Sequence, residues 1–261
     1  MLPAATLPET GVGTQAVLER LQSTVLPLFT GGAGPRYLGF VTGGGTPAAL
    51  AADWITSAVD NNASDASSVA AVTIEQQAIA MLCDLFRLPD ATRGWFVSGA
   101  TMANVVGLAT GRQWLGEQRG LDISDAGAAA MPQLRILSGA PHSSAVKAAS
   151  ILGIGRSAVH AVATEPGTER VATAALAAAL AASDAPTIIV ANSGTVTTTA
   201  FDDLRAIGAL AQANGAWMHV DGAFGLTGAA DSTSCWMGGS LSTYSARSRR
   251  SGYAVTKASS S

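Results

Sequence analysis

The segment Trp217-Met218-His219-Val220-Asp221-Gly222-Ala223-Phe224-Gly225 puts a carboxylate at the end of an apolar run. A buried carboxylate is costly unless a cation or hydrogen-bond donor faces it, so Asp221 needs a partner. A protonated pyridine nitrogen would serve. His219 lies two residues earlier, and in an extended strand both side chains share one face. Gly222 and Ala223 leave room for a flat ring beside the backbone. Three other segments carry reactive types. Ser98-Gly99-Ala100-Thr101 is a small-residue loop opening a helix, where free N–H groups and the helix dipole suit a phosphate. His142, in Pro141-His142-Ser143-Ser144, could stack on a flat ligand or move protons. Asn192-Ser193-Gly194-Thr195 allows close ligand approach and offers a hydroxyl at Thr195. Each segment alone also reads as an ordinary feature: a helix cap, a surface-loop histidine, a glycine turn, or an Asp capping a turn. The 98–101 loop matches neither a Walker loop nor G-x-G-x-x-G, which gives NTP or NAD binding little support.

These segments must be held by regular elements. Helices are expected near 19–26 (stopped by Pro27), at 48–59, at 73–88 and at 103–119. Further helices are expected at 144–152, 171–182 and 201–213, the last ended by Asn214-Gly215. Strands are expected at 95–97, 134–137, 158–163, 187–191 and 217–220. This alternation predicts an α/β fold with a mainly parallel sheet flanked by helices. Unbroken apolar strands such as Thr187-Ile188-Ile189-Val190-Ala191 fit a sheet covered on both faces. Ligands of such sheets bind at the carboxyl ends of the strands, where all four segments fall. Together they form a phosphate cup, a stacking imidazole, a small-residue shelf and a carboxylate for a ring nitrogen. Pyridoxal 5'-phosphate needs that set.

Composition bounds the alternatives. The chain has 261 residues, with 15 Lys plus Arg against 18 Asp plus Glu, a net charge of -3. That balance disfavours nonspecific nucleic-acid binding. A hydrophobic fraction of 48% with 13% charged residues argues against general disorder. No window is long and apolar enough to suggest a membrane span. Two cysteines, Cys83 and Cys235, make no disulfide framework. No secretory signal is evident, so a cytoplasmic location is expected. Three regions are expected: an N-terminal lead-in (1–68), a ligand-binding large domain (69–226), and a low-complexity, disordered tail (227–261) rich in serine.

The order and spacing of these motifs resemble the group II decarboxylases among fold-type I pyridoxal-phosphate enzymes. The family includes aromatic-amino-acid, tyrosine and glutamate decarboxylases. The carrying segments are Tyr37-Leu38-Gly39-Phe40, Pro47-Ala48-Ala49-Leu50, Ser98 through Asn104, His142 through Ala149, Leu152-Gly153-Ile154-Gly155, Gly194-Thr195-Val196 and His219 through Gly225. The resemblance implies that Ser98, Gly99, Ala100 and Thr101 line the phosphate site and that His142 stacks on the ring. It puts Thr195 near the ring substituents, Asp221 on the ring nitrogen and Ala223 beneath the ring. His142 and Asp221 are then the catalytic residues, and no metal is implied. The implied activity is decarboxylation of an L-amino acid in a homodimer. Transamination or desulfuration on the same fold, or a non-catalytic fragment, are the alternatives.

Ala100, Met102 and Gly222 stand where the family usually has Gly, Glu and Ala. A larger departure concerns the lysine that anchors the cofactor. The chain has two lysines, Lys147 and Lys257, and neither lies in the family's His-Lys-Trp-like segment. The matching stretch, around Tyr253, is serine-rich. The expectation is a truncated amino-terminal fragment, lacking the C-terminal domain and shifted out of register near its end, with low or no activity.

Overall fold

A computed structural model describes residues 7, 9–32, 34, 36–37, 45–61, 69–88, 92–131 and 133–225. The serine-rich tail at 227–261, Lys257 and the Leu38-Gly39-Phe40 part of the lead-in motif lie outside them. The described chain divides into two compact units, one up to Asp60 and a larger one from Asn61 onward.

In the first unit, helix α1 (Thr14–Arg20) runs into a wider turn at Leu21–Val25 and a tight turn at Leu26–Leu28. Pro27 therefore sits inside the last turn, where a missing N–H costs nothing, rather than ending a helix before it. Helix α2 (Pro47–Val59) starts with proline and is capped by Thr46, whose hydroxyl accepts the Ala49 N–H at 3.2 Å. Neither helix buries a residue.

The second unit is built on four parallel strands: β1 (Arg135–Ser138), β2 (Val159–Ala161), β3 (Thr187–Asn192) and β4 (Trp217–Asp221). Their order is β2-β1-β3-β4. Helices α3 (Val69–Leu85), α4 (Ala100–Glu117), α5 (Ile123–Ala126), α6 (Ser143–Ile151), α7 (Thr173–Ala181) and α8 (Leu204–Ala213) complete the unit. The period-two pattern of β3 explains the layering. Ile188 and Val190 join Leu108, Leu115, Ala148, Ala149 and Trp217 in a core under α4 and α6. Ile189 and Ala191 join Leu176, Leu180, Ile207, Ala211 and Met218 under α7 and α8. Each fully buried Ile or Leu contributes about 1.5–3 kcal/mol.

One expected strand is absent. In Trp95-Phe96-Val97 only Val97 makes a single bridge and no strand forms among the described residues, and Trp95 is 61% exposed. An apolar triplet is not enough; a strand needs neighbours for the N–H and C=O groups of successive residues, and a single bridge at Val97 pairs one. Helix α8 begins at Leu204, three residues later than the apolar pattern suggested. Phe201 instead pairs with Ser193 in an antiparallel bridge, and Asp203 caps the helix through the Ala206 N–H at 3.0 Å.

Two devices hold the sheet, one at its carboxyl-terminal edge and one along β4. Asp202 is buried and accepts the backbone N–H groups of Val171 and Asn192, each at 2.7 Å. Burial raises its pKa, and those two backbone donors oppose the rise. Gly107 and Gly111, one turn apart on α4, admit β4 closely. A Cβ on Gly107 would lie 2.4 Å from the His219 ring, and one on Gly111 would lie 2.4 Å from Trp217.

Candidate functional site

All four strands are parallel, so their carboxyl ends share one edge. The loops leaving β1, β3 and β4 are tied there. The Asn192 side chain donates to Ala140 O at 3.3 Å, and Ser193 N–H donates to Asp221 O at 2.9 Å. Gly194, at φ 87°, lies so close to Gly225 that a Cβ would meet its Cα at 2.7 Å. The tight turn carrying Thr195 is thereby set against the turn carrying Ala223.

Asp221 ends β4 half-buried. Its Oδ1 accepts the Ala223 N–H at 3.2 Å, and its Oδ2 accepts from Asn104 Nδ2 at 3.1 Å. Asn104 lies one turn inside α4 and is 2% exposed. Its Nδ2 also donates to Ser144 Oγ at 2.9 Å, and its Oδ1 lies 2.6 Å from His219 Nε2. Ser144 Oγ is in turn 2.7 Å from His142 Nδ1. His142 caps α6, its Nδ1 accepting the Ser144 N–H at 3.2 Å, while the ring remains exposed. The shared face of His219 and Asp221 is as expected: both reach the same amide.

At the start of α4 the cap is Gly99, with φ 153° and no side-chain cap bond. Neither Ser98 nor Thr101 is used as a helix cap. The first bond of α4 runs from Ala103 N to Gly99 O, so the N–H groups of Ala100, Thr101 and Met102 have no acceptor among the described residues. No Cβ contact would restrict Gly99. Thr195 is 9% exposed; its Oγ1 accepts the Ala200 N–H at 3.1 Å and lies 3.1 Å from Thr198 Oγ1.

The structure thus joins His142 and Asp221 through two residues to which the sequence assigned no role, Ser144 and Asn104. Asn104 also carries the loop 98–101 on its own helix. Thr195 is brought near through the loop contacts and shares no hydrogen bond with the network. Lys147, the lysine among the described residues, is exposed on α6 and bonds to none of these groups.

His219 is buried, and desolvation lowers its pKa against the raising effect of the Asp221 charge. The unfolded chain takes up this proton near pH 6.5, the ordinary histidine value, and the folded chain takes it up only at a lower pH. The contribution of His219 is therefore whole above the unfolded value and falls as pH drops below it. Urea unfolding at a series of pH values should show stability falling from about pH 6.5 downward, with that slope reduced in His219→Asn. An equal slope in both proteins would contradict this assignment.

A fit to pyridoxal phosphate can be judged from the donor set. The unclaimed amides of α4 suit its phosphate, and Asp221, with both oxygens already accepting, retains lone pairs for a ring N–H. Exposed His142 and small Ala223 suit the two faces of a flat ring. The holding groups fit; a lysine for a covalent link is not among them.

Comparison with known proteins gives the family. Residues 2–230 match the pyridoxal-dependent decarboxylase conserved domain. The chain is 33% identical over 226 residues to an L-2,4-diaminobutyrate decarboxylase of Rhizobium meliloti (strain 1021), covering 84% of this chain and 43% of that protein. It is 27% identical to an aromatic-L-amino-acid decarboxylase of Bacillus atrophaeus, covering 84% of this chain and 44% of that one. Among solved structures it superposes on the glutamate decarboxylase domain of a Vibrio parahaemolyticus diaminobutyrate-pyruvate transaminase and L-2,4-diaminobutyrate decarboxylase. The TM-score is 0.77 at 27% identity, covering 85% of this chain and 50% of that one. The chain spans less than half the length of these curated relatives. With the motifs, the sheet and the family match in agreement, the chain belongs to the pyridoxal-dependent decarboxylase family.

Proposed function

We propose that this chain supplies the cofactor-holding half of a pyridoxal-phosphate-dependent amino-acid α-decarboxylase. The observation that carries the reading is the Asp221 carboxylate at the end of β4, oriented by Asn104 and Ala223 and tied to His142. When bound, pyridoxal phosphate supplies the sink for the electron pair left on Cα as CO2 departs. Asp221 holds a proton on the ring nitrogen, which keeps that sink deep. His142 limits ring motion from one face and is the candidate proton donor to Cα. Ala223 supports the other face, and Thr195 offers a hydroxyl beside the ring. Ser98, Gly99, Ala100 and Thr101 hold the phosphate through backbone N–H groups and hydroxyls. An L-amino acid is the substrate.

The large domain is read as 69–226, with 1–68 as a lead-in. Exposed Leu28, Phe29, Trp54 and Ile55 in the lead-in support pairing of two copies as a homodimer. Cys83, in no disulfide among the described residues, supports a cytoplasmic location. No helix of the described residues is long and apolar enough to cross a membrane.

The lysine count favours a second reading, in which this chain binds the cofactor without turnover. Titration with pyridoxal phosphate separates the two. A borohydride-reducible absorbance band with CO2 release supports the enzyme. Reversible binding with no reducible band supports the holding role alone, and no binding rejects both.

A further inference from the structure

We propose that Asn104 is a positioning residue that sets the proton order of the whole site, with His142 left carrying its ring proton on Nε2. A carboxylate only accepts, so the Asn104 atom 3.1 Å from Asp221 Oδ2 must be Nδ2. The reverse amide orientation would set oxygen against oxygen. Asn104 Oδ1 then faces His219 Nε2 at 2.6 Å, and the imidazole must be the donor. The two Nδ2 hydrogens go to Asp221 and to Ser144 Oγ, which exhausts them. Ser144 Oγ accepts there, so its single hydrogen is free for the 2.7 Å contact with His142 Nδ1. That nitrogen also accepts the Ser144 backbone N–H at 3.2 Å. Neutral His142 is thus protonated on Nε2, the nitrogen with no protein partner among the described residues.

One amide therefore performs two tasks. It holds the Asp221 carboxylate in one rotamer, and through Ser144 it aims the hydroxyl proton that keeps His142 Nδ1 an acceptor. A relay ordered this way presents Nε2–H to a bound ligand as donor and leaves Asp221 as acceptor. The effect on cofactor binding rests on the pyridoxal-phosphate reading, whereas the proton order rests on distances alone.

The chain has three histidines, so each ring can be assigned by single substitution. Long-range proton–nitrogen spectra of the 15N-labelled full chain, at a pH where the imidazoles are neutral, should show both His142 and His219 as Nε2–H tautomers. Asn104→Leu should move the His219 ring signals toward a mixed tautomer and weaken pyridoxal phosphate binding about tenfold or more. Ser144→Ala cuts only the His142 arm; it should leave the His219 spectrum unchanged. Should Asn104→Leu not fold, the wild-type spectra still decide. Either ring as Nδ1–H in the wild type overturns the proposal, as does Asn104→Leu with unchanged His219 signals. Correct tautomers without any cofactor binding would support the relay and reject the cofactor reading.

Discussion

Asp221→Ala should remove pyridoxal phosphate binding, with affinity lower by about 100-fold or more. Three losses add. The ring nitrogen loses its charged acceptor, worth ~1.5–3 kcal/mol for a charge-assisted bond. Asn104, 2% exposed, is left with one amide hydrogen unclaimed. The Ala223 N–H also loses its acceptor, which loosens the turn beneath the ring. Asp221→Asn keeps the shape and removes the charge, so its loss measures the electrostatic share. Absorbance titration of both variants, alongside thermal unfolding as a control for folding, is the measurement. Unchanged affinity in Asp221→Ala with an intact fold would defeat the site assignment as a whole.

Gly107→Ala should destabilise the large unit by about 2 kcal/mol, although the substitution gains ~1 kcal/mol of helix propensity. The new Cβ would lie 2.4 Å from His219 Cε1 and Nδ1. The ring has little room to retreat, because it is 5% exposed and its Nε2 is bound to Asn104. Displacing it also pulls on the amide that orients Asp221, so cofactor affinity should fall with stability. Urea unfolding gives the first quantity: the midpoint should fall with the m-value unchanged. Repeating the change in a His219→Ala background isolates the clash, since the ring it meets is gone. The cost should shrink there to near zero or become a gain. A Gly107→Ala protein as stable as the wild type would refute the close packing of α4 on β4.

Much of the fold was legible in the residues, for reasons that are local. Thr187–Asn192 is buried along its whole length, and the unbroken apolar run Ile188-Ile189-Val190-Ala191 within it is what a strand covered on both faces requires. Asn214-Gly215 ends α8 as expected, Gly215 taking φ 58°. Trp95-Phe96-Val97 carried the same apolar signal and formed only a single bridge at Val97, because the extent of pairing is not a property of the triplet itself. Phe201 was drawn into the α8 pattern by its hydrophobicity, and in the fold it pairs with Ser193.

The site divides along the same line. The types and spacing of His142, Thr195 and Asp221, the small-residue loop at 98–101 and the short run around Ala223 pointed by themselves to a flat, phosphorylated ring at the strand ends. Family membership follows from that order of motifs and from the match over residues 2–230. The link between His142 and Asp221 was a matter for tertiary structure. Asn104 ends the Ser98-through-Asn104 motif and drew no role from the sequence, yet it bonds to Ser144, 40 residues away, and to Asp221, 117 residues away. Only the packing of α4 across β4 and α6, made close by Gly107 and Gly111, buries that amide. Burial is what forces each of its hydrogens onto a protein partner, and so decides the direction in which the site's protons point.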